Sequence, residues 1–331
     1  MTHTSVTRAR LAAHPGDPRV GRTGGGRLCA VLSRPVLALA AALVALSGCS
    51  SPIEAPDANE PAVPLATPAV TEQRPPAARV VLDYVPADVA RVTVTDYEQV
   101  ALQLGVVDLA SELGAGERAD FWRRAETETV LLADGLLRPV QERLQRDFSI
   151  GQEDVRWEAR LFDDDGREVG FVQSWAAIID PSVLRRAVDA GVGPLRGATV
   201  LAEESLVLSG VAEQVEEPWG GDLVDPLVDG PATSTYLELG CVDEQGPDAL
   251  DELEAYTVSF GSVLATARLG DGRSDLFARI DTAAGDDAFS EVFTGGAADP
   301  SSGRLGYEVV SPPRAAALTL RRSLPFAACA G

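Results

Sequence analysis

The side chains that could carry chemistry are few in type, and their positions exclude several kinds of site. The two histidines, His3 and His14, lie near the beginning of the chain, and the sequence contains no lysine. Beyond His14 the chain therefore lacks the residues for a Ser-His-Asp or Cys-His catalytic centre, a histidine-ligated zinc or copper site, or a lysine Schiff base. Only carboxylate chemistry, a hydroxyl group without a conventional base, or calcium binding remains. We predict no cofactor and no metal site.

One run of carboxylates offers ligands for a cation. Asp163-Asp164-Asp165-Gly166 presents consecutive acidic side chains, but it lacks the alternating spacing and the distal glutamate of an EF-hand loop. The run separates residues 155–161, which alternate between apolar and polar, from a second strand-like segment over residues 168–175. We therefore predict that it forms the turn of a β-hairpin and not a calcium site.

A tryptophan stands in an unusual setting. Trp219 follows the acidic segment Glu216-Glu217-Pro218 and precedes two glycines. Glycines and charged residues are typical of a flexible loop, in which a large aromatic side chain could contact a partner. For the other tryptophans, which are scattered through amphipathic segments, we predict core packing. Trp219 is kept as a candidate contact residue.

The first 49 residues have the order of an export signal. Six arginines and one acidic residue, Asp17, precede an apolar run over residues 36–46, which is followed by small residues and a cysteine. This run is too short to cross about 30 Å of hydrocarbon, so a cleaved signal peptide is favoured over a membrane-spanning helix. The end of the run, Leu46-Ser47-Gly48-Cys49, resembles the bacterial lipobox, in which the cysteine becomes the lipidated first residue of the mature protein.

This resemblance implies a leader of residues 1–48, lipidation of Cys49, and a location at the extracytoplasmic face of the cell membrane. Two acyl chains suffice for stable anchoring, at about 0.8 kcal/mol for each buried CH₂ group. Two alternatives remain open, namely a secreted protein cleaved after Gly48 without lipidation and an uncleaved anchor. Residues 49–78, which are rich in proline and alanine, are predicted to form a disordered tether.

The resemblance also decides which cysteines are able to pair. Once the leader is removed and Cys49 is lipidated, Cys241 and Cys329 are the two that remain. Exported proteins fold in an oxidising compartment, so the resemblance implies a disulfide between these two residues. Such a bond would close a span of 88 positions and contribute about 4 kcal/mol in the chain-entropy model.

The charge of the chain restricts its partners. All 28 basic residues are arginine, and the formal net charge is −22. Without residues 1–48, 22 arginines face 49 acidic side chains, which gives −27. So acidic a surface repels nucleic acid and anionic lipid headgroups, although solubility alone could explain it. The arginine bias is typical of a GC-rich coding sequence, and the exported domain resembles actinobacterial lipoproteins more than any enzyme family.

Residues 79–331 are predicted to form an α+β domain with antiparallel sheets covered by helices on one face. A strand is predicted at residues 80–82, and helices are predicted within 117–146 and over 180–190. The order strand-strand-helix-strand occurs in both halves of the domain. It indicates a weak internal duplication, with lobes at 79–230 and 231–331.

Three classes of function remain open. The first is a non-enzymatic binding or scaffolding protein of the cell envelope, whose partner is an unknown protein, lipid or glycan. The second is a carrier of lipids or other amphiphiles, which would need an aliphatic cavity of several hundred Å³. The third is a carboxylate-dependent hydrolase, which would need two carboxyl groups about 5–9 Å apart across an open cleft. The sequence favours the first class.

Overall fold

The computed structural model describes residues 74–331, except residues 108, 110–112, 212–214, 216–218, 229 and 248. The lipobox, Cys49 and nearly all of the predicted tether lie outside the described residues. The helices are α1 (Ala77–Val81), α2 (Tyr97–Gln103), α3 (Ala115–Glu128), α4 (Gln141–Phe148), α5 (Pro181–Asp189), α6 (Gly221–Val224), α7 (Leu276–Ala284), α8 (Asp287–Ser290) and α9 (Pro312–Leu320). The strands are β1 (Arg91–Asp96), β2 (Val155–Phe162), β3 (Glu168–Trp175), β4 (Thr199–Leu201), β5 (Leu206–Ser209), β6 (Ser234–Leu239), β7 (Val242–Gln245), β8 (Ala255–Phe260), β9 (Leu264–Arg268), β10 (Phe293–Asp299), β11 (Arg304–Val309) and β12 (Ala328–Cys329).

Ten strands form one antiparallel sheet whose two halves repeat a single topology. The order across the sheet is β10-β11-β9-β8-β6-β1-β2-β3-β5-β4. In the first half α5 connects β3 to β4, and in the second half α7 and α8 connect β9 to β10. The predicted repeat is therefore present in the order of the elements. Because β1 pairs with β6 at the centre, the two predicted lobes share one sheet.

The two faces of the sheet are covered unequally, because side chains alternate along each strand. One face packs against α2 to α5 in the first half and against α7 to α9 in the second half. On the opposite face, Val92 and Val94 of β1 pack with residues of the short helices α1 and α6. The α+β prediction is confirmed, with most helices on one face and two short helices on the other.

Local sequence signals explain several element boundaries. Asp180 caps α5 by accepting a hydrogen bond from the Ser182 amide at 2.8 Å, and Pro181 occupies the first helical position, as predicted. The predicted hairpin turn is also confirmed. Its Gly166 amide donates to the Asp163 carbonyl at 3.0 Å, and the Asp163 carboxylate accepts from the Arg167 amide at 2.7 Å.

The start of the domain differs from the prediction. Residues 80–82, predicted as a strand, belong to α1 and the 3₁₀ turn that follows it. Val81 and Leu82 are buried against the sheet face and Val80 is partly buried there, and Val81 packs in the same cluster as Val92. Ala77 and Ala78, predicted as the end of the tether, are buried residues of α1.

The predicted disulfide is confirmed and lies at the end of the second half. Cys241 and Cys329 are bonded with a Cα–Cα distance of 5.1 Å, which is within the range that a disulfide permits. Beside it, β12 pairs with β7 in a separate two-stranded parallel sheet. Within the part of the chain that the structure describes, none of the helices combines the length and apolar character of a membrane span.

Candidate functional site

The centre of the main sheet carries a row of polar side chains on its helix-covered face. In β1 the residues Arg91, Thr93 and Thr95 alternate with valines, so all three point to this face. The strand register places Thr93 between Arg160 of β2 and Tyr236 of β6. Polar residues thus occupy the middle of the sheet, where an apolar row would be expected in a simple core.

A cleft of about 240 Å³ opens over this row. It lies where the helices of the first half meet those of the second half, because its lining comes from both. The lining residues combine two cations, a hydroxyl group, two aromatic rings and two leucines, together with a glycine: Arg91, Arg160, Thr93, Phe162, Tyr236, Leu132, Leu320 and Gly166. Such a mixture of apolar walls and few polar groups is typical of small-molecule sites.

Arg91 is held in the cleft by packing and not by an ion pair. Its guanidinium lies over the Phe162 ring, with 5.5 Å between the central carbon and the ring centroid. Gly166 of the hairpin turn makes room for it, since a Cβ there would lie 2.8 Å from an Arg91 nitrogen. Among the described residues, no carboxylate lies within ion-pair distance of Arg91. Its positive charge is therefore available to a ligand.

Thr93 supplies an unused hydroxyl group beside Arg91. The residue is only 1 % exposed, and its Oγ1 finds no hydrogen-bond partner among the residues that the structure describes. A buried polar atom without a partner costs about 1–3 kcal/mol, so such atoms are rare unless something else satisfies them. An oxygen of a ligand in the cleft would do so.

The second cation of the cleft is already neutralised. Arg160 lies 3.2 Å from a carboxylate oxygen of Asp134, 3.2 Å from one of Glu158 and 3.7 Å from one of Glu168. Burial raises the pKa of Glu168, and Arg160 lowers it in part. Arg160 therefore shapes the wall of the cleft without adding net positive charge.

Two buried carboxylates border the polar row, and each is fully engaged. Glu158 accepts hydrogen bonds from the Leu136 amide at 2.9 Å and from Gln173 Nε2 at 3.0 Å. Glu238 accepts from the hydroxyl groups of Tyr236 and Tyr256, each at 2.5 Å, and its other oxygen lies 2.6 Å from Arg322. Burial, and then the charge of Glu238, raises the pKa of Tyr236.

The positions of these carboxylates bear on hydrolysis. Glu158 of β2 is level with Thr95 of β1, which in turn is level with Ser234 of β6. Glu238 lies on β6 four residues beyond Ser234, so two strand spacings and four residues separate it from Glu158. Strand spacing and rise put their Cα atoms about 16 Å apart. This Cα separation is larger than the about 5–9.5 Å that separates the carboxyl groups of glycoside hydrolases.

The structure places Trp219 in the core, which corrects its interpretation as a contact residue. It is 1 % exposed and packs with Val92 and Val94 beneath the sheet. Its indole nitrogen donates to the Val89 carbonyl at 2.7 Å. The indole fills the space between α6 and the sheet, and this apolar contact outweighs the flexibility that its glycines indicate. The acidic segment before it lies outside the described residues.

Other features of the structure do not assemble into a second site of the same kind. Within the described residues, no three Cys, His, Asp or Glu side chains converge as metal ligands. A cavity of about 270 Å³ in the second half is lined mainly by aromatic and aliphatic side chains and glycines, among them Phe293 and Tyr307. A third cavity, of about 260 Å³, lies near α6 and is lined by apolar and charged residues in equal number.

Sequence reasoning assigned a binding role to none of the residues that line the cleft, although it placed Gly166 in a hairpin turn. Arg91, Thr93 and Arg160 come from strands far apart in the chain, and each looks like an ordinary outward-facing polar residue. The one local signal was the pattern of β1, in which a charged residue and two threonines alternate with valines. Cys49, the predicted lipidation site, lies outside the described residues.

Comparison of the chain with protein-family models, with curated proteins and with solved structures finds no match in any of the three.

Proposed function

We propose that this protein is a non-enzymatic binding protein, anchored by lipid at Cys49 to the extracytoplasmic face of the cell membrane, that holds a small molecule in the central cleft. The observation that carries this proposal is the pair of unsatisfied groups side by side on β1. Within the described part of the chain, Arg91 has no carboxylate at ion-pair distance and the buried Thr93 hydroxyl makes no hydrogen bond. Binding a ligand is the simplest use for both.

The engagement of the acidic residues supports binding over catalysis. Glu158 and Glu238 each accept several hydrogen bonds and face an arginine, so their oxygens already have partners within the protein. The size of the cavities supports a small ligand over a lipid. The three cavities described above have volumes of about 240–270 Å³, which lie below the roughly 300–1,000 Å³ of pockets for drug-sized molecules.

The anchor is tested by replacing the lipobox cysteine. We expect Cys49→Ala to release the protein from the membrane fraction or to leave an unprocessed precursor, because no acyl chain would then be attached. Fractionation and mass spectrometry of the amino-terminal peptide distinguish these results. Retention of a normally cleaved Cys49→Ala protein in the membrane would contradict lipid anchoring at this residue.

The binding role is tested with a variant that fills the cleft. Leu320 lines the cleft at the end of α9 and is 42 % exposed, so Leu320→Trp should occupy the space without disturbing the core. The full chain, purified under mild conditions, should carry a small molecule that native mass spectrometry detects. We expect Leu320→Trp to lose it.

A matched control is available on another helix. Leu223 of α6 is 47 % exposed and lines the third cavity, so Leu223→Trp adds the same side chain at a comparable site. It should retain the small molecule. Equal retention by both variants, or a wild-type protein that binds nothing when offered a library of small metabolites, would argue against the cleft as a binding site.

A further inference from the structure

The charges around the central cleft restrict the ligand more narrowly than its shape does. We propose that the cleft binds a monocarboxylate with a short apolar tail, whose carboxylate lies between the Arg91 guanidinium and the Thr93 hydroxyl. This inference rests on the binding role proposed above and names its ligand class. It follows from three features of the lining, namely the supply of donors, the balance of charge and the apolar walls.

The donors match the two oxygens of a carboxylate. Arg91 offers a planar set of N–H groups, which bind carboxylates in a defined geometry. Thr93 lies two residues along the same strand and on the same face, about 7 Å away between Cα atoms. Its Oγ1 is buried and unpartnered, so a carboxylate that pairs with Arg91 could accept a second hydrogen bond from it.

The charge balance favours a single negative charge. The single positive charge of Arg160 faces three carboxylates, those of Asp134, Glu158 and Glu168, and is more than balanced by them. Glu238, the register partner of Arg91, is instead paired with Arg322 at 2.6 Å. Arg91 is thus the uncompensated cation of this lining. A second negative charge on the ligand would face the carboxylates around Arg160 and Glu238 without a cation of its own, and a neutral ligand would leave Arg91 unpaired.

The walls define the rest of the ligand. Leu132 and Leu320 face the cleft from the helix side, and the rings of Phe162 and Tyr236 border it on the sheet. The hydroxyl group of Tyr236 is taken by Glu238, so Tyr236 contributes its ring. At about 30 Å³ for each water-sized volume, the 240 Å³ of the cleft accommodates about eight non-hydrogen atoms. A short aliphatic or aromatic acid fits these limits.

The test compares three probes of similar size that differ in charge: hexanoate, hexanamide and succinate. Ligand-observed NMR and calorimetry are carried out on the full chain after removal of bound small molecules. We expect hexanoate to bind about tenfold more tightly than hexanamide or succinate. A tenfold difference in Kd corresponds to about 1.4 kcal/mol, which is close to the contribution of one hydrogen bond to a charged group.

Variants of the two donors sharpen the assignment. Arg91→Gln should weaken hexanoate binding about tenfold and leave the melting temperature nearly unchanged, because Arg91 makes no ion pair within the described chain. Thr93→Val should weaken it about fivefold, and Thr93→Ser should restore it, since serine keeps the hydroxyl group. Arg146→Gln, which removes an exposed arginine from α4, should have no effect on binding.

The outcomes separate this inference from the proposed function. If hexanamide or succinate binds as tightly as hexanoate, or if Arg91→Gln binds hexanoate as well as the wild type does, the monocarboxylate assignment is wrong while the binding role stands. If Leu320→Trp abolishes binding of a different class of molecule, the same conclusion follows. If the wild type binds none of the three probes and purifies without a small molecule, both proposals fail.

Discussion

The two halves of the sheet share one strand order but fill their helix-covered face with different chemistry. In the first half, the interior contains a hydrogen-bonded network of Glu158, Gln152 and Gln173, all fully buried. In the second half, aromatic rings pack against one another instead, as in the stacked pair Phe289 and Phe293 with 4.6 Å between ring centroids. The same topology therefore tolerates two kinds of interior.

The difference shows where a site can arise in a sheet whose two halves have the same strand order. Aromatic rings are stabilised by packing against one another, so an aromatic cluster offers a ligand few hydrogen-bond donors or acceptors. In a buried polar network some side chains form all their hydrogen bonds, and others at the edge of the network form only part of them. The remaining donors and acceptors can bind a ligand. Thr93 stands at that edge, next to Arg160 of the polar half and Tyr236 of the aromatic half. The cleft therefore lies where the polar interior of the first half meets the aromatic interior of the second half.

The largest expected effect tests how far the second half depends on covalent support. Replacing both Cys241 and Cys329 by serine removes a bond that spans 88 positions, and the chain-entropy model assigns it about 4 kcal/mol. We expect the free energy of unfolding, measured by urea titration, to fall by about this amount. Hydrogen exchange should show the loss first in the strands β8 to β11.

A uniform loss of protection across both halves would show that the shared sheet unfolds as one cooperative unit. The two halves would then differ in the packing of their interiors but would not have separate free energies of unfolding.

The next effect concerns a buried ion pair in the second half. Arg279 is fully buried, and its Nε lies 2.7 Å from Asp275 Oδ2. The same guanidinium donates to the carbonyls of Phe326 at 2.8 Å and Ala328 at 3.0 Å, which ties the C-terminal segment to α7. Removing the Arg279 side chain leaves Asp275 paired with Arg273 at 2.8 Å, but it takes the donor away from both buried carbonyls. Because each buried acceptor without a donor costs about 1–3 kcal/mol, Arg279→Leu should cost about 3 kcal/mol in a urea titration.

The matched control is an exposed pair on the same half. Arg314 of α9 lies 2.6 Å from Glu291, and both side chains are more than half exposed to solvent. Arg314→Leu should change the free energy of unfolding by less than about 1 kcal/mol. Similar losses for the two arginines would mean that burial does not decide the contribution of these pairs. Because Arg279 and the disulfide hold the same segment, their effects should not be additive.

The polar interior of the first half is tested by a change that keeps its shape. Glu158→Gln removes the charge that accepts hydrogen bonds from the Leu136 amide and Gln173, and it leaves Arg160 with fewer carboxylates. We expect a loss of about 2 kcal/mol, since hydrogen bonds to charged groups contribute about 1.5–3 kcal/mol. Glu168→Gln, at a half-exposed position of the same cluster, should cost much less. Equal losses would contradict a special role for the buried network.

The sequence predicts the parts of this fold that depend on neighbours in the chain. Asp180-Pro181 specifies the start of α5, and the run of aspartates that ends at Gly166 specifies a hairpin turn. The repeated order of strands and helices is also visible in the sequence. These features depend on capping, backbone conformation and alternation, which act over a few residues.

The sequence fails where tertiary packing decides the outcome. Val80, Val81 and Leu82 have the high β-propensity of a strand, but burial beneath the sheet favours a helix there. Trp219 has the neighbours of an exposed residue and is buried instead. The cleft is the extreme case. Its residues converge only because β1 pairs with β2 on one side and with β6 on the other.

The two halves also contain carboxyl groups whose pKa values are shifted in opposite directions. Asp96, at the end of β1, is mostly buried, and burial raises its pKa to about 6 although it caps α2 by accepting from the Gln99 amide. For Asp275 in the second half, burial acts in the same sense, but hydrogen bonds from Arg273 and the charge of Arg279 outweigh it. The pKa of Asp275 is lowered to about 2.

The smallest expected effect follows from this contrast. A carboxyl group with a raised pKa stabilises the fold below its unfolded value of 3.8, and this contribution is lost as the pH rises through about 6. Asp96→Asn keeps the helix cap, so it should raise the free energy of unfolding by about 1 kcal/mol at pH 8 and change little at pH 4. Asp275 behaves in the opposite way, because its contribution is present above pH 3.8 and is lost as the pH falls through about 2. Urea titrations of Asp96→Asn and the wild type from pH 3 to pH 8 should therefore diverge between pH 4 and pH 7, and parallel curves would show that Asp96 does not titrate in this range.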